Sequence, residues 1–261
     1  MKKYWAIFKL QLANGLAYPG EFIGRSLLIL PFMWIFFQLW RVTFDASGGA
    51  EINGLTLRST LWYLVIAEVI ELSRPRVANT ISEAVKDGSI AYILSKPYNF
   101  LWYHYSSSLA DTIFRALLNL VLGGGVAWLL VGPPPSLWGL LAVLPLLMGA
   151  WALNYCIAAL IGLLAFWVED TSAFQWIYQK LAFILGGLLI PLDFYPAWLR
   201  TIADALPFSA VTYAPARLFV EPSLNGFLAA LGQQALWLLV FAGGLGLLYR
   251  RSVTVLTVNG G

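Results

Sequence analysis

Glu68 interrupts the apolar run Leu61 to Ile70, Glu71 follows it three residues on, and Arg74 and Arg76 lie on the next turns. At that spacing on a helix, both carboxylates point to roughly one side. Ionised groups in apolar surroundings cost several kcal/mol unless they are paired or wet, so their uses are few. This set can make an interhelical polar contact, anchor to headgroups, carry a proton, or form the wall of a wet path. Asp111 and Arg115 stand four residues apart in another apolar run and can pair on one helix face, so a structural ion pair is expected there. Lys180 sits about one-third into a further run, where its stem can snorkel to the nearer interface.

Other reactive types are sparse. Cys156 is the single cysteine and lies in an apolar run, and His104 is the single histidine. No zinc or iron site built from several His and Cys ligands is possible with those counts, so no metal is expected. Ser106, Ser107 and Ser108 beside His104 have no orienting acid at a defined spacing, and a helix start capped by Ser108 or a neighbour is the expectation. The chain contains no G-x-x-x-x-G-K-[ST], H-E-x-x-H or G-x-S-x-G. A catalytic role for this chain is therefore not expected.

The elements that must position these groups are dictated by composition. Sixty per cent of residues are hydrophobic and 11% charged, with a mean hydropathy of +0.75. A soluble domain carries roughly 25% charge. Such a chain reads as an all-α integral membrane protein. The net charge of +3 comes without a dense basic patch, which suits a lipid surface and not nucleic acid.

Six spans are expected, at about 22–43, 59–80, 107–131, 136–168, 172–191 and 224–249. An amphipathic helix at 3–18, with Trp5, Phe8, Leu12 and Leu16 on one side, precedes them at the interface. The loop Asp45-Ala-Ser-Gly-Gly closes the first span. The second helix is expected to continue unbroken from about 59 to 86, its later half in protein or headgroups. Gly132-Pro-Pro-Pro135 stops the third span. The fourth apolar stretch has 33 residues, ~50 Å of helix, so it must tilt, protrude or bend at Pro145 before Glu169-Asp170 ends it. The clusters Gly123-Gly124-Gly125, Gly186-Gly187 and Gly243-Gly244 with Gly246 suit close helix packing.

Between spans five and six, residues 193–222 are too interrupted to cross and too apolar for a free loop. With Pro191, Pro196 and Pro207 as punctuation, they read as short external re-entrant helices backed by protein. Lys2, Lys3, Lys9, Arg25, Arg74, Arg76, Lys86, Lys96, Arg250 and Arg251 fall on the N-terminal side. Only Arg41, Arg58, Arg200 and Arg217 fall opposite, while Arg115 and Lys180 lie within spans. That asymmetry predicts cytoplasmic termini in a multi-pass protein of the plasma (bacterial inner) membrane.

The cytoplasmic segment 81–105 carries the clearest local signals. The second helix stops at Gly88, Ser89 can cap a short helix holding Ile90, Ile93 and Leu94, and Lys96-Pro97 ends it. A brief, partly apolar helix at the cytoplasmic face is what a docking element for a soluble partner requires. The run Lys86-Asp-Gly-Ser-Ile-Ala-Tyr-Ile-Leu-Ser-Lys-Pro97, then Gly186-Gly-Leu-Leu-Ile-Pro-Leu-Asp-Phe-Tyr-Pro196 and Leu206-Pro-Phe208, resembles the permease subunits of type-2 ATP-binding-cassette exporters. The resemblance covers essentially the whole chain. It implies that two permeases pair, as a homodimer or heterodimer, and that two separate ATPase subunits dock from the cytosol and hold the ATP and Mg. It further implies a coupling role for residues 81–97, including Lys86, Asp87, Gly88, Ile90, Ile93, Leu94, Lys96 and Pro97. It supplies no substrate residues.

The function expected is thus export of an unidentified substrate through a lipid-embedded permease, with Glu68 and Glu71 as wall residues. A proton-coupled secondary transporter using Glu68 or Glu71 is the alternative, and a membrane-embedded enzyme or scaffold a lesser one.

Overall fold

The computed structural model describes residues 2–17, 19–48, 50–168 and 170–260. Gly49 and Glu169, expected in the first loop and at the end of the fourth span, lie outside the described residues. The chain is all-α, 82% helical, apart from one two-residue-stranded hairpin. Among the described residues, three helical stretches are long and apolar enough to cross a membrane: Phe100–Val131, Trp138–Phe166 and Leu224–Val255.

Helix α1 (Lys2–Ala17) runs alongside the first turns of α7 (Phe100–Val131). Lys3 Nζ donates to the Pro97 carbonyl (3.0 Å), Tyr4 Oη accepts from the Asn99 amide (3.0 Å) and Gln11 Nε2 donates to Asp111 (3.1 Å). The expected amphipathic helix is therefore held by hydrogen bonds as well as by its apolar side. The first expected span is two helices, α2 (Pro19–Ser26) and α3 (Ile29–Ser47), separated by a turn. Beyond it, β1 (Glu51–Ile52) and β2 (Leu55–Thr56) pair through Asn53-Gly54, both with positive φ, as a two-residue hairpin turn demands.

Helix α4 (Leu57–Leu72) is the axis of the fold. Thr56 caps it by accepting from the Ser59 amide at 3.1 Å, and residues from Thr60 to Ile70 are buried on every side. A helix apolar all round belongs inside protein, and the one carboxyl in that buried stretch, Glu68, lines a cleft. The expected continuous helix over 59–86 is broken. Pro75 lacks an amide hydrogen and biases Arg74 away from helical geometry, so α4 stops at Leu72 and α5 (Val77–Lys86) starts afresh.

Helix α6 (Ile90–Leu94) follows Gly88, whose φ of +77° suits glycine. Ser89 does not cap it with its side chain; instead Asp87 accepts from the Ser89 amide at 2.8 Å. Helix α7 begins two turns earlier than expected because Asn99 caps it, accepting from the Trp102 amide at 3.1 Å. Ser106 and Ser108 are consequently inside the helix, donating to the carbonyls of Trp102 and Tyr105. Ser136 caps α8 (Leu137–Leu163), which carries Pro145 in its interior and ends in a tight turn at Leu164–Phe166.

Helix α9 (Ser172–Leu185) spans only ~21 Å and ends where Gly187 turns at φ +68°. Short helices α10 (Ala197–Ala205), α11 (Pro207–Val211) and α12 (Tyr213–Val220) follow, and α13 (Leu224–Gly260) packs along α8. Pro191 precedes a tight turn at Leu192–Phe194, Pro196 precedes α10, and Pro207 occupies the first turn of α11, where its missing donor costs nothing.

Contacts sort the loops into two ends of the bundle. At one end, Phe100 stacks on Tyr249 (5.6 Å), Pro97 meets Lys3, and Lys86 faces Asp170 (3.5 Å). At the other, Asn53 donates to the Asp193 carbonyl (2.9 Å), Arg58 to those of Pro133 and Pro134, and Trp62 to that of Gly132 (3.0 Å). Residues 3, 86–100, 170 and 249 thus share the first end, and 53, 132–134 and 193 the second. Of the glycine clusters, Gly123 lies against Ile29: a Cβ there would stand 2.6 Å from its Cδ1. Around Gly243, Gly244 and Gly246 the same construction meets nothing within 4 Å in this chain.

Candidate functional site

A cleft of about 810 Å³ opens between α3, α4, α5, α7, α8 and α9. Its polar side is formed by Glu68, Glu71, Arg74, Arg76, Arg115, Asn119, Asn154, Tyr178 and Gln179. Its apolar side includes Leu28, Phe32, Phe183, Leu188 and Leu189. The break at Pro75 builds this site: by ending α4 it turns Arg74 and Arg76 toward the same space as the two glutamates. Cleft volumes between about 300 and 1,000 Å³ suit organic ligands.

The charges are arranged, not scattered. Glu71 pairs with Arg74 at 2.7 Å and is hydrogen-bonded by Gln179. The Arg74 guanidinium lies 4.8 Å from the Tyr178 ring centroid, and Tyr178 Oη donates to Asn154 Oδ1 at 2.7 Å. This chain of contacts ties α4, α8 and α9 together across the cleft. Glu68 is 4% exposed and lies one turn earlier on α4. Asn119 and Asn154 are each 1% exposed.

Asp111 and Arg115 meet differently from the expected ion pair. Arg115 Nε donates to the main-chain carbonyl of Asp111 (3.2 Å), while the Asp111 carboxylate accepts from Gln11. The backbone carbonyl is reachable one turn back, and Gln11 on α1 takes the carboxylate that the sequence alone left without a second partner. Arg115 itself lines the cleft. Lys180 stands over the rings of Trp176 (5.5 Å) and Phe183 (5.4 Å).

Residues 81–97 form a compact surface at the end that carries Lys3 and Tyr249. Ile90 is buried, and Ile93 and Leu94 are packed against a cluster with Val77, Ile81, Phe100 and Leu163. Tyr92 points outward, 65% exposed, with Lys96 Nζ over its ring (3.8 Å) and hydrogen-bonded to its hydroxyl. The hydroxyl and amide of Ser89 hold the Asp87 carboxyl below the usual carboxylate range. Lys86 reaches Asp170, and Thr171 donates to Ser82 at 3.1 Å. Those two contacts join α5 to the residues that start α9, whose Ser172, Gln175, Tyr178 and Gln179 line the cleft.

The opposite end is closed by a second polar cluster that sequence reading missed. Asp193 receives Arg217 (3.2 Å), Arg200 (3.6 Å) and the Tyr213 hydroxyl (3.0 Å). Tyr63 on α4 donates to the Gly187 carbonyl at 2.7 Å, just before Leu188 and Leu189 at the limit of the cleft. The only sequence signal for this cluster was an acid between two prolines followed by two arginines.

No curated protein matches this chain in sequence comparison. The family described as ABC-2 family transporter protein matches residues 28–260, which takes in every helix from α3 onward and all the residues of the cleft beyond Ser26. With nearly the full length matched, the chain belongs to the ABC-2 family of transporter proteins.

Proposed function

We propose that this chain is one membrane-spanning permease of an ABC exporter, with six crossings, both termini in the cytoplasm of a bacterial cell and a second permease beside it. Membership of the ABC-2 family makes the chain a transport component, not a catalyst by itself, and implies association with ABC ATPase subunits. ATP and Mg belong to those subunits. Residues 81–97 receive their movement, with Tyr92 and Lys96 on the receiving face. Glu68 and Glu71 line the substrate path.

The observation that carries this reading is the continuity between the 81–97 surface and the cleft. Ser82 and Lys86 on α5 grip Thr171 and Asp170, and α9 then runs directly along the cleft to Gly187. A rigid helix displaced at one end moves at the other, so motion of α5 and α6 is delivered to the wall of the cleft. Tyr63–Gly187 and the Asp193 cluster fasten the segment that follows α9. Six crossings are supported by the sorting of loops into two ends, with Lys3, Lys86 and Lys96 at one and Arg58, Arg200 and Arg217 at the other.

Deleting 88–96 tests the reading. The expected outcome is a folded permease that still pairs with its partners but no longer supports transport-coupled ATP hydrolysis. Normal coupling in that deletion contradicts it. Buried Glu68 in the cleft favours the proton-coupled alternative. Transport that collapses with the proton gradient yet ignores ATP depletion would select that alternative.

A further inference from the structure

We infer that the cleft binds an amphiphile whose head is uncharged and carries hydroxyl or amide groups. This inference rests on the permease reading and names the substrate class of the same site. Three charged residues of the cleft are engaged with protein: Glu71 with Arg74 (2.7 Å) and Gln179, and Arg115 with the Asp111 carbonyl (3.2 Å). Among the buried polar atoms of the described residues that lack a hydrogen-bond partner are Asn119 Oδ1, an acceptor, and Asn154 Nδ2 and Arg74 Nε, both donors; Arg74 Nη2 has only the ion pair with Glu71. All three residues line the same cavity, and both asparagines are 1% exposed. Buried groups of this kind are costly unless something bonds to them.

An unpaired acceptor beside unpaired donors selects for a partner that does both. A hydroxyl or a carboxamide donates to Asn119 and accepts from Asn154 and Arg74, whereas an anion offers nothing to Asn119 and a cation nothing to the donors. The cleft is also lined by the apolar Leu28, Phe32, Phe183 and Leu189, of which Leu28 and Leu189 are 64% and 36% exposed. A chain attached to the head therefore has an apolar route from the cleft to the lipid. A glycosylated lipid and a hydroxylated or amidated small amphiphile share this chemistry.

The test uses the full chain in lipid nanodiscs without ATP and three diazirine-bearing probes of equal alkyl length: a glucoside, a phosphate and a trimethylammonium. The glucoside is expected to label peptides containing Phe32, Phe183 or Leu189, by about tenfold over either charged probe, the loss set by unmet hydrogen bonds. Asn119→Leu with Asn154→Leu is expected to abolish that preference while residual labelling of the apolar wall persists. Dodecyl maltoside added as competitor removes the labelling, and dodecyl phosphate does not. Equal labelling by the three probes, or glucoside labelling only outside the cleft, overturns the inference even in a normally folded wild-type chain. Because no ATPase takes part, that failure leaves the permease reading standing. Co-purification of an ATPase tests the permease reading separately.

Discussion

Lys86 and Asp170 face each other at 3.5 Å, linking the last residue of α5 to the residue two before α9. Both side chains are largely exposed, so the pair contributes little to stability, but it is placed where motion of one helix must reach the other. Asp170→Asn is expected to leave the thermal unfolding midpoint unchanged and to lower ATP-coupled transport severalfold. Unchanged coupling would remove the pair from the transmission route. The Ser172 hydroxyl and amide, and to a smaller extent Lys86, hold the Asp170 carboxyl below its ordinary range. A depressed carboxyl contributes stability above its unfolded value of about 3.9 that is lost as pH falls through its folded value. Coupling through this pair is therefore expected to be flat from about pH 6 to 8 and to weaken only in strong acid.

Tyr63 ties α4 to the turn at Gly187 that follows α9. Tyr63→Phe removes the donor to the buried Gly187 carbonyl and is expected to cost about 1–3 kcal/mol. Gly187→Ala is expected to cost more than a simple side-chain deletion. It places a Cβ 2.8 Å from the Tyr63 hydroxyl and 3.1 Å from Leu192, at a φ of +68° that disfavours alanine. Differential scanning fluorimetry in detergent measures both, and equal midpoints for the variants and the wild type would contradict the assigned contact.

Asp193 serves two arginines and a tyrosine while its side chain is only 8% exposed. Asp193→Ala leaves Arg217, itself 22% exposed, without its inner partner, for which about 3 kcal/mol of destabilisation is expected. Asp193→Asn keeps an acceptor for Tyr213 and is expected to cost less. Limited proteolysis between residues 193 and 222 follows the effect directly: faster cleavage in the alanine variant is expected, and identical rates would show that the cluster does not hold the segment.

Gly139 and Gly125 make a matched pair on neighbouring helices. A Cβ at Gly139 would stand 2.0 Å from the Phe219 carbonyl oxygen, a backbone atom that cannot rotate away. Gly139→Ala is therefore expected to separate α8 from α12 at a cost of about 1–3 kcal/mol. Gly125 meets nothing within 4 Å, so Gly125→Ala is expected to be neutral or to stabilise by up to about 1 kcal/mol through helix propensity. A reversed order of the two unfolding midpoints would contradict the packing of α8 on α12.

Much of this arrangement was legible in the residues. The Gly132-Pro-Pro-Pro135 stop, the Gly88 terminator and the shared face of Glu68 and Glu71 follow from local chemistry that tertiary contacts do not override. The break at Pro75 was equally local, but the apolar periodicity on both sides of it reads as one helix. Asn99, and not Ser108 or a neighbour, caps α7 because the helix extends two turns before the apolar run that signals it. Asn119 and Asn154 are uncharged and isolated in apolar spans, so only the packing of α7 and α8 around one cleft shows that they face it. The Asp193 cluster joins residues up to 24 positions apart (193 to 217), a distance that no periodic signal covers.

Affinity purification of the tagged chain from its native membrane in a mild detergent, followed by assay of ATP hydrolysis in the eluate, tests the permease assignment most directly. The expected result is a co-eluting ATPase whose stimulated activity disappears when residues 88–96 are deleted. A chain that elutes without any ATPase and moves its cargo in proteoliposomes on a proton gradient alone would contradict the assignment.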